Sequence, residues 1–166
     1  MTAPVELHRP VALDRIPATG LDVTIEASPA ECEALAGRMA IPGVRSLACR
    51  FSLRPETAGV VVAEGQLRAE VVRSCVVSLE DFAMAVEERF RVRFVPAGHE
   101  SEDDDPDADD EIPYEGGVLD IGEATAEQLA LALDPYPRKP DAALPESAGN
   151  VPESPFAALA RLQRRG

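Results

Sequence analysis

The sequence predicts an α+β fold: a mainly antiparallel sheet with one N-terminal helix, an acidic disordered insertion and C-terminal helices. Three observations carry that class. Several runs alternate apolar and polar residues with a period of two, which is the pattern of half-buried strands. A complete helix-start signal occurs at Ser28, before most of the strand runs. No helical pattern separates the later strand runs, as a parallel wound sheet would require. The corresponding division is an antiparallel α+β core over residues 1–97 and an acidic mobile insertion at 98–117. A helix at 118–137 completes the domain, a linker follows at 138–153, and a C-terminal helix closes the chain at 154–166.

In chain order, Glu6 to Ile16 supplies a short strand with Leu7, Val11, Leu13 and Ile16 as candidate buried positions. Leu21, Val23 and Ile25 share one face of a second strand. Ser28 caps a helix, Pro29 takes its first position and Glu31 completes a capping box. Cys32, Leu35, Ala36 and Met39 recur at helical spacing and face inward. Pro42 and Gly43 stop this helix. Leu47, Cys49, Phe51 and Leu53 then alternate with Arg50, Ser52 and Arg54 until Pro55. Val60 to Val72 reads as a further strand, in which Gly59 and Gly65 permit a turn or bulge.

The stretch from Gln66 to Phe94 reads as two strands meeting near Cys75. Phe82, Met84, Val86, Phe90, Val92 and Phe94 share one parity, and Glu87, Arg89, Arg91 and Arg93 the other. Glu88 breaks the apolar parity, which suits an edge or a bulge. No Asn-Gly or Asp-Gly lies between Ser74 and Asp81, so a two-residue hairpin turn is not supported. From Gly98 to Gly117 the chain has too few apolar residues to offset the entropy of ordering it, and disorder is expected. Asp120 caps a later helix with Glu123 three positions on, and Pro135 and Pro137 end it. Ser154-Pro155 starts the last helix, with Phe156, Leu159 and Leu162 in its apolar stripe.

The length of 166 residues fits one domain. The net charge of −14 argues against a generally basic nucleic-acid binder, but nine of the acids fall between Glu100 and Glu111. Cys32, Cys49 and Cys75 have no CxxC spacing among them. The N-terminus lacks a leader pattern, and no stretch is long and apolar enough to span a membrane. A reduced, cytoplasmic protein is the expectation.

No P-loop, GxGxxG, HExxH or GxSxG pattern occurs, and His8 and His99 stand apart from any nucleophile pattern. The dense carboxylates lie where no fixed catalytic separation is expected. Catalysis is therefore not expected, and neither is a metal or cofactor. The arginines give a better lead. Arg89, Arg91 and Arg93 share one strand face, and Arg68 and Arg73 are placed on the neighbouring strand. Residues at i and i+2 lie roughly 6.5–7 Å apart, similar to the spacing of phosphates along a nucleic-acid strand. The same charges also read as a solvated sheet face balanced by Glu70 and Glu87. No aromatic is interleaved with them, so base stacking is not indicated.

Three segments in order, VVRSCVVSLEDF, GGVLDIGEATAEQLALALDPYPRKP and SPFAALARLQRR, resemble the YceD-like family, named for large ribosomal RNA accumulation. Many members carry CxxC where this chain has Cys75-Val76-Val77-Ser78, and further Cys or His residues where this chain has DPYPRKPDA. Cys75 alone cannot make a four-ligand zinc site, so no metal role is carried over. The resemblance implies a non-enzymatic ribosome-biogenesis factor supporting accumulation of large-subunit (23S) ribosomal RNA. Its expected partner is that RNA, held by Arg68, Arg73, Arg89, Arg91 and Arg93. The alternative is an acidic module that holds a basic ribosomal protein before assembly. The apolar stripe of Phe156, Leu159 and Leu162 reads separately, either as a terminal helix docked on its own domain or as a recognition helix for a partner. Neither a membrane nor a small-molecule substrate is expected.

Overall fold

The computed structural model describes residues 5–102 and 105–144. Its centre is a five-stranded sheet in the order β2-β3-β4-β5-β6. The strands are β2 (Leu21–Glu26), β3 (Gly43–Pro55), β4 (Val61–Ser74), β5 (Asp81–Pro96) and β6 (Asp110–Tyr114). β2 to β5 are antiparallel in sequence, and β6 adds in parallel to the end of β5. A small second sheet pairs β1 (Pro10–Ala12) with β7 (Val118–Asp120). Two α-helices occur among the described residues, α1 (Pro29–Arg38) and α2 (Ile121–Ala132).

This corrects the predicted α+β class: the fold is mostly β. β3, β4 and β5 run for 13, 14 and 16 residues, whereas the helices have only 10 and 12. Strand also forms where loop or helix was expected. The insertion read as disordered contains β6, and the segment read as a helix from residue 118 begins with β7. The C-terminal helix predicted from Ser154, with Phe156, Leu159 and Leu162, lies outside the described residues.

Alternation sorts the central sheet into two faces. Phe51, Leu53, Leu67, Val71, Val92 and Phe94 point inward and are almost fully buried. α1 supplies Cys32, Leu35 and Ala36 to the same core, and α2 supplies Ala124 and Leu129. Ser28 accepts from the Glu31 backbone N–H, and the Glu31 carboxylate accepts from the Ser28 N–H, so the capping box forms. Asp120 likewise accepts from the N–H groups of Gly122 and Glu123 at the start of α2.

Gly65 is not a bulge, because pairing continues unbroken through it on both sides. It stands between Phe51 and Phe90 in one cross-strand row. A Cβ at this position would overlap the Phe90 ring. Without one, the ring lies across the glycine and meets Phe51 edge to face, with centroids 5.7 Å apart. Glu88 fits the edge reading: β6 covers β5 only from Val92 to Pro96, so Glu88 is exposed at an uncovered edge. At Gly122 a Cβ would come within 2.5 Å of the Leu7 carbonyl oxygen, so α2 can start only where its backbone approaches the N-terminal arm.

Arginine clamps join that arm to α1 and α1 to α2. Arg9 donates to both oxygens of Glu31 at 2.7 and 2.8 Å, and Arg38 donates to both oxygens of Glu123 at 2.9 and 2.6 Å. Arg38 also reaches Glu6 at 3.1 Å. Bidentate pairing of this kind is stronger than a single exposed ion pair. The hydrogen bonds from Arg9, with the Ser28 N–H behind them, pull the Glu31 carboxyl down to about 2.

Two outcomes follow for stability. Gly65→Ala should cost about 1–3 kcal/mol by overpacking against Phe90, and Gly65→Ala with Phe90→Leu should recover part of it; denaturant melts check both. Glu31 titrates lower in the folded chain than unfolded, so its contribution is complete above pH 4.5 and disappears as pH falls through 2. Glu31→Gln should therefore be less stable than the parent at pH 6 by about 1–2 kcal/mol, reduced from the full linkage value by partial solvation. That gap should close as both are melted at successively lower pH.

Candidate nucleic-acid interface

Much of the face of the sheet opposite the helices is polar and open, although Val62 and Val95, of outward parity, are buried at its Arg93 end. Register lines its side chains up in rows across the strands. Thr24, Arg50, Gln66 and Arg89 form one row, and Asp22, Ser52, Glu64 and Arg91 the next. Glu26, Ala48, Arg68 and Glu87 lie on the other side of the first row, while Arg54, Val62 and Arg93 lie beyond Arg91. Each arginine faces outward because its neighbours in sequence face inward: Arg50 sits between buried Cys49 and Phe51, and Arg91 between Phe90 and buried Val92.

Carboxylates hold these arginines to different degrees. Arg93 contacts Glu111 at 3.3 Å and Glu56 at 3.7 Å. Arg91 contacts Asp109 at 3.1 Å, and Arg68 contacts Glu87 at 3.5 Å with both side chains largely in water. Arg50 and Arg89 have no carboxylate partner among the described residues. They flank Gln66 two strands apart, so their Cα atoms are separated by about 10 Å. A shallow groove of about 430 Å³ runs here, lined by Arg50, Ser52, Glu64, Gln66, Arg89 and Arg91, with Gly65 and the half-buried Phe90 at its floor. A larger groove of about 500 Å³ lies near the start of α1, but Glu26, Glu70 and Glu87 line it beside Arg45 and Arg68. Its carboxylates outnumber its guanidinium groups, which makes it the poorer seat for an anion.

The structure brings together four of the five arginines singled out in the sequence: Arg68, Arg89, Arg91 and Arg93. Arg73 is separated from them. It has the inward parity of Val71, and its guanidinium donates to the carbonyl of Asp134 at 2.8 Å on the helix side. Sequence reasoning missed Arg50. The signal was present in the alternation of β3; what was lacking was the sheet order that puts β3 beside β4.

Cys75 occupies a separate site, in the six-residue connection from β4 to β5. Its Sγ is shielded from water and accepts the backbone N–H groups of Lys139 at 3.3 Å and Ser78 at 3.5 Å. The Ser78 hydroxyl and these N–H groups favour the thiolate and bring the thiol down to about 6. Cys49 shows the reverse: burial in the core pushes it up to about 11. The Val76 N–H donates to the Pro137 carbonyl, and Lys139 pairs with Glu80 at 3.0 Å. Cys75 thus fastens the segment after α2 to the sheet. No group of three or more His, Cys, Asp or Glu side chains suited to a metal occurs among the described residues.

No helix among the described residues is long and apolar enough to cross a membrane. Comparison with curated proteins and with solved structures finds no match. The family model described as large ribosomal RNA subunit accumulation protein YceD matches residues 63–163. That span takes in β4 from Ala63 onward, β5 with its arginines, the Cys75 connection, β6, β7 and α2. This chain therefore belongs to the YceD family of large ribosomal RNA subunit accumulation proteins.

Proposed function

We propose that this chain is a non-catalytic factor that supports accumulation of large-subunit ribosomal RNA by binding RNA phosphates on the open face of its sheet. The family name supplies the biological role. The observation that carries the mode of binding is the Arg50–Gln66–Arg89 row, where two exposed guanidinium groups lie free of carboxylates among the described residues. Guanidinium is planar and matches phosphate oxygens in pairs. A side-chain amide between two such groups adds donors without adding negative charge. The face lacks exposed aromatic rings among the described residues, so it suits the backbone of RNA rather than stacked bases. The net charge of −14 opposes RNA at a distance, and screening over about 8 Å at physiological salt leaves the local cationic row to decide contact.

A second reading has its own support. Glu100, Glu102, Asp105 and Asp107 are exposed in the connection from β5 to β6, and such a run suits a basic ribosomal protein. The two readings separate in solution. With a labelled fragment of large-subunit RNA, binding should weaken steeply with salt. Arg50→Gln with Arg89→Gln should weaken it further and lower the magnitude of the log–log salt slope by about 1.5–2, for two lost phosphate contacts. Thermal melting of that variant should match the parent, because both side chains are exposed. Unchanged affinity would reject this face as the RNA site. Nuclease-resistant capture of a basic ribosomal protein, with no RNA binding, would favour the holder reading.

A further inference from the structure

The two ends of the arginine face are in different states. At one end Arg50 and Arg89 are open. At the other, carboxylates from the acidic insertion already occupy Arg91 and Arg93: Asp109 stands 3.1 Å from Arg91, and Glu111 stands 3.3 Å from Arg93. The Glu111 contact is set by strand pairing rather than by chance encounter of long side chains, and Asp109 immediately precedes the paired segment. β6 lies parallel to β5 with Glu111 directly beside Arg93 and Asp110 beside Val92. Ile112 packs against the core, and the Tyr114 hydroxyl donates to the Gly59 carbonyl, which anchors the other end of β6. Glu111 also accepts the Ser101 N–H at 2.7 Å, so its carboxylate is held from both sides.

We infer that the acidic insertion is an intramolecular phosphate mimic, which competes with RNA for the Arg91–Arg93 end of the face. This rests on the reading of that face as an RNA site. Two carboxylates take the places that successive phosphates would take on arginines roughly 6.5–7 Å apart. The open row makes the first contact, and a ligand engages Arg91 and Arg93 only by displacing Asp109 and Glu111. An isolated anion offers one charge against two tethered carboxylates and gains little. RNA brings several phosphates at once, so the contact filters for dense, extended polyanions. The rest of the acidic run adds repulsion that salt screens.

The test uses the full chain and a labelled fragment of large-subunit RNA, with Asp109→Asn and Glu111→Gln combined. Both replacements keep a hydrogen-bonding carbonyl and remove the charge, and thermal melting confirms that the fold is kept. A single Asp109→Asn variant, outside the β6 pairing, serves if the double variant melts early. The double variant should bind RNA about tenfold tighter than the parent at low salt, the scale set by two partly exposed ion pairs. The gap should shrink as salt rises, and Arg91→Gln with Arg93→Gln should abolish it. RNA binding by the variant and not by the parent would support the same inference more strongly. Equal or weaker binding by a folded variant would overturn the competition while leaving the RNA face standing. Binding by neither protein would overturn both.

Discussion

Burial of one face of the β3–β4–β5 sheet is the constraint on which the rest of the structure depends. With a period of two, each inward side chain fixes its neighbours outward. Phe51, Gly65 and Phe90 lock one row from the inside, and Arg50, Gln66 and Arg89 are adjacent to them in sequence. A slip of one residue would drive arginine into the core and put phenylalanine in water. The apolar packing that stabilises the fold therefore also lines up the cationic row. Gly65 matters for the same reason, since it is the gap in which the Phe90 ring lies.

The helices and the arm finish one side and leave the other bare. α1 and α2 cover the inner face; Arg9–Glu31 and Arg38–Glu6 tie α1 to the N-terminal arm, and Arg38–Glu123 ties α1 to α2. Asp120 contributes at three places: it caps α2, accepts from the Arg9 N–H and bonds His8. At the far end of the sheet, the Cys75 sulfur gathers the connection after β4 and the segment after α2. None of these contacts crosses to the open face. The segment that does reach it is the acidic insertion, through Asp109 and Glu111.

Much of this was legible in the sequence because local chemistry decides it. The parity of β3 and β5, the capping box at Ser28 and the cap at Asp120 all appear where expected. The mostly β class was not legible, because short strands carry little pattern. β1 and β7 have three residues each, too few to show alternation. β6 offers only Ile112 and Tyr114 among acids, and Pro113 counts against a strand unless that strand lies at an edge, as β6 does. Arg73 was grouped with Arg68 by charge, yet five positions apart on one strand puts them on opposite faces. Arg50 was assigned the outward face correctly but had no known neighbour until sheet order joined β3 to β4.

The central claim is that RNA is bound by the open face and not by the helix-covered side or the Cys75 connection. Backbone and arginine side-chain NMR shifts, followed as a large-subunit RNA fragment is titrated into the full chain, test it most directly. Perturbations should centre on Arg50, Gln66 and Arg89 and extend to Arg68, Arg91 and Arg93, while α1, α2 and residues 75–80 stay unchanged. Shifts confined to the helices or to the Cys75 connection, with the arginine rows silent, would contradict it.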